Sequence, residues 1–256
     1  MTAVRSLVFN LVFYVWTTVS CFGLLWMLLI PRRAMIWVVC RYLDSLYFLE
    51  RAILGLNYRV VGREHLPDGA YILAAKHQST WETMKLHLLV HDPAVIVKRE
   101  LTFIPIWGWY AAKAQMIAVD RGARRKAVAS IVEGAKKTIA QGRPLVIFPQ
   151  GTRTAPGTHR KYRIGVAALY GDLGLPVVPM ALNSGVFWPR RKFRKYSGTI
   201  TVEFLPAIPP GLDRDEFLKR LEDTLEAATD RLVTQVGGPA TERTGAAAES
   251  PPQAAQ

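Results

Sequence analysis

Residues 7–30 carry no charged side chain and few polar ones, Asn10, Thr17, Thr18 and Ser20. At ~1.5 Å of rise per residue, such a run is long enough to cross a hydrocarbon layer of ~30 Å as one helix. A cleaved signal peptide needs an apolar core of roughly 7 to 15 residues and a small-residue cleavage site. This run is longer and ends in Pro31-Arg32-Arg33, so it reads as a retained membrane helix. Arg5 precedes it, whereas Arg32, Arg33 and Arg41 follow, and that excess of positive charge puts the rest of the chain on the cytoplasmic side. The next segment, 34–56, mixes apolar residues with Arg41, Asp44, Glu50 and Arg51. It suits an amphipathic helix in the membrane interface, or one paired with the first helix, better than a second independent span.

Lys and Arg outnumber Asp and Glu by 33 to 20, a formal charge of +13 that favours partners bearing phosphate. Charge alone leaves nucleic acid, anionic lipid and phosphorylated metabolites open; the apolar N-terminus and the lack of any nucleic-acid recognition motif favour lipid. The run from Arg190 to Lys195 is then read as a contact for anionic headgroups, with a plain solvated loop as the alternative. Cys21 and Cys40 both lie in the apolar N-terminal region and provide neither a disulfide framework nor CxxC metal spacing.

From Asn57 onward short β-rich runs alternate with longer helical patterns. Strands are predicted at 58–61, 71–75, 94–97, 116–119, 145–148, 177–182 and 199–204, and helices at 81–90, 105–113, 123–141, 162–171 and 213–233. The order is mostly strand then helix, which predicts an α/β fold with a largely parallel mixed sheet flanked by helices. Residues 237–256, rich in Ala, Pro, Gly, Glu and Gln without apolar periodicity, read as a disordered tail.

Three segments carry chemistry. In the first, His77 follows a predicted strand and Glu82 lies about one turn into the next helix. A carboxylate there can bind one imidazole nitrogen and leave the other free to take a proton from a hydroxyl. A surface His beside a capped helix start fits the same spacing. In the second, the apolar strand at 145–148 ends in Pro149-Gln150-Gly151-Thr152-Arg153, where backbone N–H groups near Gly151 and the Arg153 guanidinium can hold an anion. An ordinary strand-ending turn reads equally well. The third is the strand at 116–119 followed by Asp120 and Arg121.

Together these segments resemble the glycerolipid acyltransferase family, and within it the 1-acylglycerol-3-phosphate O-acyltransferases. That family has a His, four residues and an acid; an apolar strand ending in Arg; a Phe-Pro-Glu-Gly-Thr-Arg segment; and an apolar Val-Pro segment. Here the counterparts are His77 with Glu82, 117–121, 148–153 and Val177-Val178-Pro179, and Lys98 lies in a segment like the family's basic one. The resemblance spans roughly 57–205. It implies a glycerol-3-phosphate acyltransferase-like fold on an N-terminal anchor of one or two helices: residues 1–56 as anchor, 57–236 as acyltransferase domain, 237–256 as tail.

It further implies His77 as general base, Glu82 as its orienting acid, and Lys98, Arg121, Gln150, Gly151, Thr152 and Arg153 as substrate-binding residues. The expected reaction moves an acyl chain from acyl-CoA or acyl-carrier protein to the sn-2 hydroxyl of 1-acylglycerol-3-phosphate, giving phosphatidic acid. The expected partners are membrane lipids and the thioester donor, with no cofactor, metal or nucleic acid. Alternatives are another lysolipid acceptor, such as a lyso-aminolipid, or a non-catalytic membrane lipid-binding protein. Two positions depart from the family pattern: Glu82 stands where Asp is usual, adding a methylene, and Gln150 stands where Glu is usual, removing a charge.

His87 and His91 are four apart on a predicted helix, but no Glu follows His87 and no third ligand stands out. The absence of a Gly-x-Ser-x-Gly elbow argues against a serine lipase.

Overall fold

The computed structural model describes residues 1–120 and 125–241. Among them, seven strands form one sheet: β1 (Leu56–Val61), β2 (Ile72–Ala75), β3 (Ala94–Lys98), β4 (Ile117–Val119), β5 (Leu145–Ile147), β6 (Val177–Leu182) and β7 (Gly198–Phe204), in the order β1-β7-β6-β2-β5-β3-β4. Every neighbouring pair is parallel except β6 and β7. The mixed, largely parallel sheet expected from strand–helix alternation is therefore present. Each predicted strand appears within two residues of its expected bounds.

The period-two alternation of the strands builds two cores. On β2, Ile72 and Ala74 face one layer, packed with Val166 and Leu169 of α6 (Ile164–Leu173) and Phe217, Leu221 and Leu225 of α8 (Arg214–Thr234). Leu73 and Ala75 face the other, against Trp81 and Leu86 of α3 (Trp81–Leu89). α5 (Arg125–Ile139) joins the first layer through Ile131 and Ala135. All four residues of β2 are buried, as a strand covered on both faces must be. Two shorter helices, α4 (Trp107–Lys113) and α7 (Ser184–Phe187), lie in the same part of the chain.

The apolar N-terminal run differs from the single helix expected. α1 covers Thr2–Gly23, a 3₁₀ turn follows at Leu25–Leu28, and α2 runs Arg32–Leu49. Gly23 weakens the helix and Pro31, which lacks an N–H, cannot continue one, so the apolar run is divided where its sequence is least helical. α1 still has the length and apolarity to cross a membrane, with mean hydropathy 1.5. α2 is paired with α1: Tyr42 donates to the Thr17 hydroxyl and Trp16 Nε1 to the Ser45 hydroxyl.

Neither helix is a detached anchor. Phe9 is wholly buried, with its ring edge-on to Trp188 at 5.4 Å. Ser6 donates to the Lys195 carbonyl and Arg5 to the Ile53 carbonyl. Where α2 passes into a π-helical turn, Glu50 pairs with Lys85 at 3.1 Å and accepts from Trp81 Nε1, which ties the N-terminal helices to α3. Residues 237–241, expected to begin the disordered tail, fold back on the end of α8 instead. Gly237, with φ of 75°, turns the chain so that the Gly238 N–H reaches the Val233 carbonyl and the Thr241 hydroxyl reaches Asp230. The rest of that tail lies outside the described residues.

Candidate active site

The site lies at the carboxyl ends of neighbouring parallel strands, where loops converge in an open α/β sheet. β2, β5 and β3 are adjacent, and the residues just past or at their ends are His77, Gly151 and Lys98.

His77 sits in the loop between β2 and α3, and Glu82 in the first turn of α3, closer to the helix start than the sequence reading put it. Glu82 is wholly buried at a helix N-terminus, where a carboxylate is favoured. Its Oε1 accepts from the backbone N–H groups of Gln78 and Ser79, both at 2.7 Å, and lies 2.8 Å from His77 Nδ1. Its Oε2 accepts from the Ser184 hydroxyl at 2.7 Å. Each of these bonds is one that Glu82 accepts, so Nδ1 of His77 carries the proton and Nε2 keeps a free lone pair. The ring stacks on Phe148 at 4.1 Å between centroids, and the Thr154 N–H donates to the His77 carbonyl, joining this loop to the one after β5.

In the loop after β5, Gly151 has φ of 68°, and its N–H closes the turn on the Phe148 carbonyl. That N–H is thus held within the turn. A Cβ at Gly151 would also press on the Arg163 side chain at 3.2 Å. Arg153 donates to the Thr80 hydroxyl at 2.6 Å, and Arg190 Nη1 donates to the Arg153 carbonyl at 2.8 Å. Burial and the neighbouring charges of Arg190 and Arg191 push the Arg153 guanidinium down, with Glu82 opposing them. Among the described residues the enclosed Arg190 Nε has no hydrogen-bond partner.

His77, Lys98, Gly151, Thr152, Arg153 and Arg190 share one cavity of about 590 Å³. The rest of its wall is mostly apolar: Phe13, Leu24 and Met27 from the first helix and the turn after it, Met35, Ile36 and Leu43 from α2, and Trp107 and Met116 from beyond β3. A basic nitrogen, guanidinium groups and a long apolar space therefore meet at one place. Such a site can hold an anionic head group and an alkyl chain of the same molecule while a hydroxyl is deprotonated.

The acyltransferase family's sequence profile matches residues 57–183. A 1-acyl-sn-glycerol-3-phosphate acyltransferase of Pseudomonas aeruginosa is 32% identical over 91% of this chain and 92% of its own length. This chain belongs to the acyltransferase family. A 1-acyl-sn-glycerol-3-phosphate acyltransferase of Saccharomyces cerevisiae is 28% identical, the match covering 74% of this chain and 64% of the yeast protein. The crystal structure of the 1-acyl-sn-glycerophosphate acyltransferase PlsC from Thermotoga maritima superposes with a TM-score of 0.76, covering 91% of this chain and 98% of that one at 22% identity. The fold of this acyltransferase is thus that of a solved structure over 91% of the chain.

Of the site residues expected from sequence, the structure brings His77, Glu82, Gly151, Thr152 and Arg153 together, with Lys98 on the cavity wall in an ion pair with Glu100. Gln150 is not among the residues lining the cavity. It is 1% exposed and donates to Glu226 at 3.3 Å. Arg121 lies outside the described residues. Ser184, Arg190 and Glu226 went unrecognised in the sequence as neighbours of this site. Ser184 and Glu226 stand in no motif, and Arg190 was read only as part of a basic run.

Among the described residues no cluster of three His, Cys, Asp or Glu side chains is placed to hold a metal. His91 is exposed, and the enclosed Nδ1 of His87 has no hydrogen-bond partner among the described residues.

Proposed function

We propose that this acyltransferase moves an acyl chain from acyl-CoA or acyl-carrier protein to the sn-2 hydroxyl of 1-acylglycerol-3-phosphate, giving phosphatidic acid for phospholipid synthesis. The observation that carries the reading is the His77–Glu82 pair opening onto a cavity that has both guanidinium groups and an apolar wall. The names of the relatives agree with it.

In this scheme Nε2 of His77 takes the proton of the acceptor hydroxyl as its oxygen attacks the thioester carbonyl. Glu82 holds the ring by Nδ1 and balances the imidazolium that forms. The tetrahedral species collapses, the C–S bond breaks, and the imidazolium returns its proton to the leaving thiolate. A positioned general base supplies roughly 10²- to 10⁴-fold, and orientation of the two substrates much of the rest. Arg153, supported by Arg190, and Lys98 hold the acceptor's phosphate, while alkyl chain fills the apolar wall. The scheme moves its protons on side chains alone and calls for no cofactor. In this reading α1 lies in a membrane, which its length and apolarity support, and the domain faces the cytoplasm, which the positive charge that follows at Arg32, Arg33 and Arg41 supports.

The test is an assay of purified protein in detergent with labelled acyl-CoA or acyl-carrier protein and a panel of lysolipids. Transfer to lysophosphatidic acid, with little to lysolipids that lack a phosphate monoester, is expected. Preference for a lyso-aminolipid, or no transfer to any acceptor, contradicts the proposal.

A further inference from the structure

Behind the catalytic loop lies a buried polar cluster that no step above uses. Lys76, the residue before His77, is 3% exposed, and its ammonium lies 2.6 Å and 2.5 Å from the two carboxylate oxygens of Glu226 on α8. Glu226, 1% exposed, also accepts from the Tyr162 hydroxyl at 2.7 Å and from Gln150 Nε2 at 3.3 Å. Gln150 is the residue before Gly151. Its other amide atom, Oε1, is enclosed without a partner among the described residues.

β2 and β5 are neighbours in the sheet, so one carboxylate receives donors from the residues just past the ends of both. The next residues along the chain are the His77 of one loop and the Gly151 turn of the other. A buried ammonium is tolerated only beside a compensating charge. Among the described residues Glu226 is the acid within ion-pair distance of Lys76. A carboxylate at position 150 would stand against Glu226 with a single ammonium for the two, whereas the neutral amide of Gln150 can donate to it. The amide at 150 and the carboxylate at 226 are therefore two halves of one arrangement.

We propose that Glu226 is a positioning residue for the reaction at His77: its carboxylate supplies the charge that Gln150 lacks and locks the loops after β2 and β5 together. The charge belongs to the cluster rather than to one position, and it can be moved. This rests on the acyl-transfer reading of His77.

The test uses the full chain in detergent as wild type, Glu226→Gln, Gln150→Glu and the double variant, measured for kcat, acceptor KM and unfolding midpoint. Glu226→Gln strands the Lys76 ammonium and Gln150→Glu crowds two carboxylates. Each is expected to lower kcat by about 10-fold per folded enzyme, with acceptor KM changed by less than about twofold. The double variant restores one carboxylate to one ammonium and is expected to recover kcat to within about threefold of wild type and to recover the unfolding midpoint. A double variant worse than either single one, or a Glu226→Gln enzyme equal to wild type, overturns the proposal. Should the single variants fail to fold, a folded double variant supports it and an unfolded one overturns it. Should wild type transfer nothing, the acyl-transfer reading fails, and the four unfolding midpoints alone decide the charge relation: recovery in the double variant supports it, additive loss overturns it.

Discussion

Glu82 Oε1 lies 2.8 Å from Nδ1 of His77 while also accepting the backbone N–H groups of Gln78 and Ser79, so one oxygen both shapes the loop and sets the imidazole tautomer. The added methylene relative to Asp is absorbed locally: the acid sits in the first helical turn and folds back over the loop that precedes it.

Replacing Glu82 by Gln keeps the shape but puts an amide where Ser184, two backbone N–H groups and the imidazole all donate. An amide oxygen carries no charge to balance the imidazolium, and the NH₂ group must face one of these donors. kcat is expected to fall on the order of 10²-fold. Steady-state kinetics at saturating acceptor check this, and a kcat unchanged by the substitution would remove Glu82 from the mechanism.

Arg153→Lys keeps the positive charge and loses the planar fork that grips phosphate with two parallel bonds. Acceptor KM is expected to rise about 10-fold with donor KM unchanged, since one good charge-assisted bond carries roughly that much. Arg190→Ala, which frees the Arg153 carbonyl and removes the second guanidinium, acts in the same direction. Measuring both KM values in turn separates the two substrates, and a rise in donor KM alone would place the guanidinium pair on the donor.

Phe9→Ala tests whether the N-terminal helices are part of the folded domain. The ring is wholly enclosed and edge-on to Trp188, so its loss leaves a cavity and is expected to cost about 3 kcal/mol of stability. Removing residues 1–23 is accordingly expected to lower the unfolding midpoint sharply rather than to release a soluble enzyme. A truncated protein as heat-stable as the full chain would show the helices to be separable.

Burial pushes His87 down to about 4 from its ordinary 6.5, against the pull of Asp92 and with the repulsion of Arg143 and Arg32. A base with a depressed folded pKa takes up its proton first in the unfolded state. Stability is therefore full above about pH 6.5, falls with pH between 6.5 and 4, and loses nothing more from this group below that. The slope from one such group is at most about 1.4 kcal/mol per pH unit. Unfolding midpoints of wild type and His87→Phe across that window check it: the variant's curve is expected to be flatter, and parallel curves would contradict the assignment.

Most of the fold was legible because its strands are short apolar or β-rich runs bounded by turn residues, while its helices are longer segments. β2, for example, is an unbroken apolar run between a turn and a helix, as a central strand buried on both faces has to be. The His77, Gly151 and Arg153 loops were legible because each chemical residue sits next to the end of such a run. Ser184, Arg190 and Glu226 reach the same place from two helices and a turn up to 150 residues away, brought there by the sheet order, and spacing along the chain holds no trace of that. The division of the apolar run after Gly23 was missed for another reason. Hydropathy measures how apolar a segment is, and residues 24–30 remain apolar where the α-helix has already ended.

The central claim is that Nε2 of His77 is the base. The direct measurement is single-turnover transfer from labelled acyl-CoA to lysophosphatidic acid by wild type and His77→Ala at matched folded concentration. The account predicts a loss of roughly 10²- to 10⁴-fold in the transfer rate, with lysophosphatidic acid still bound. Transfer at the wild-type rate in His77→Ala would contradict it.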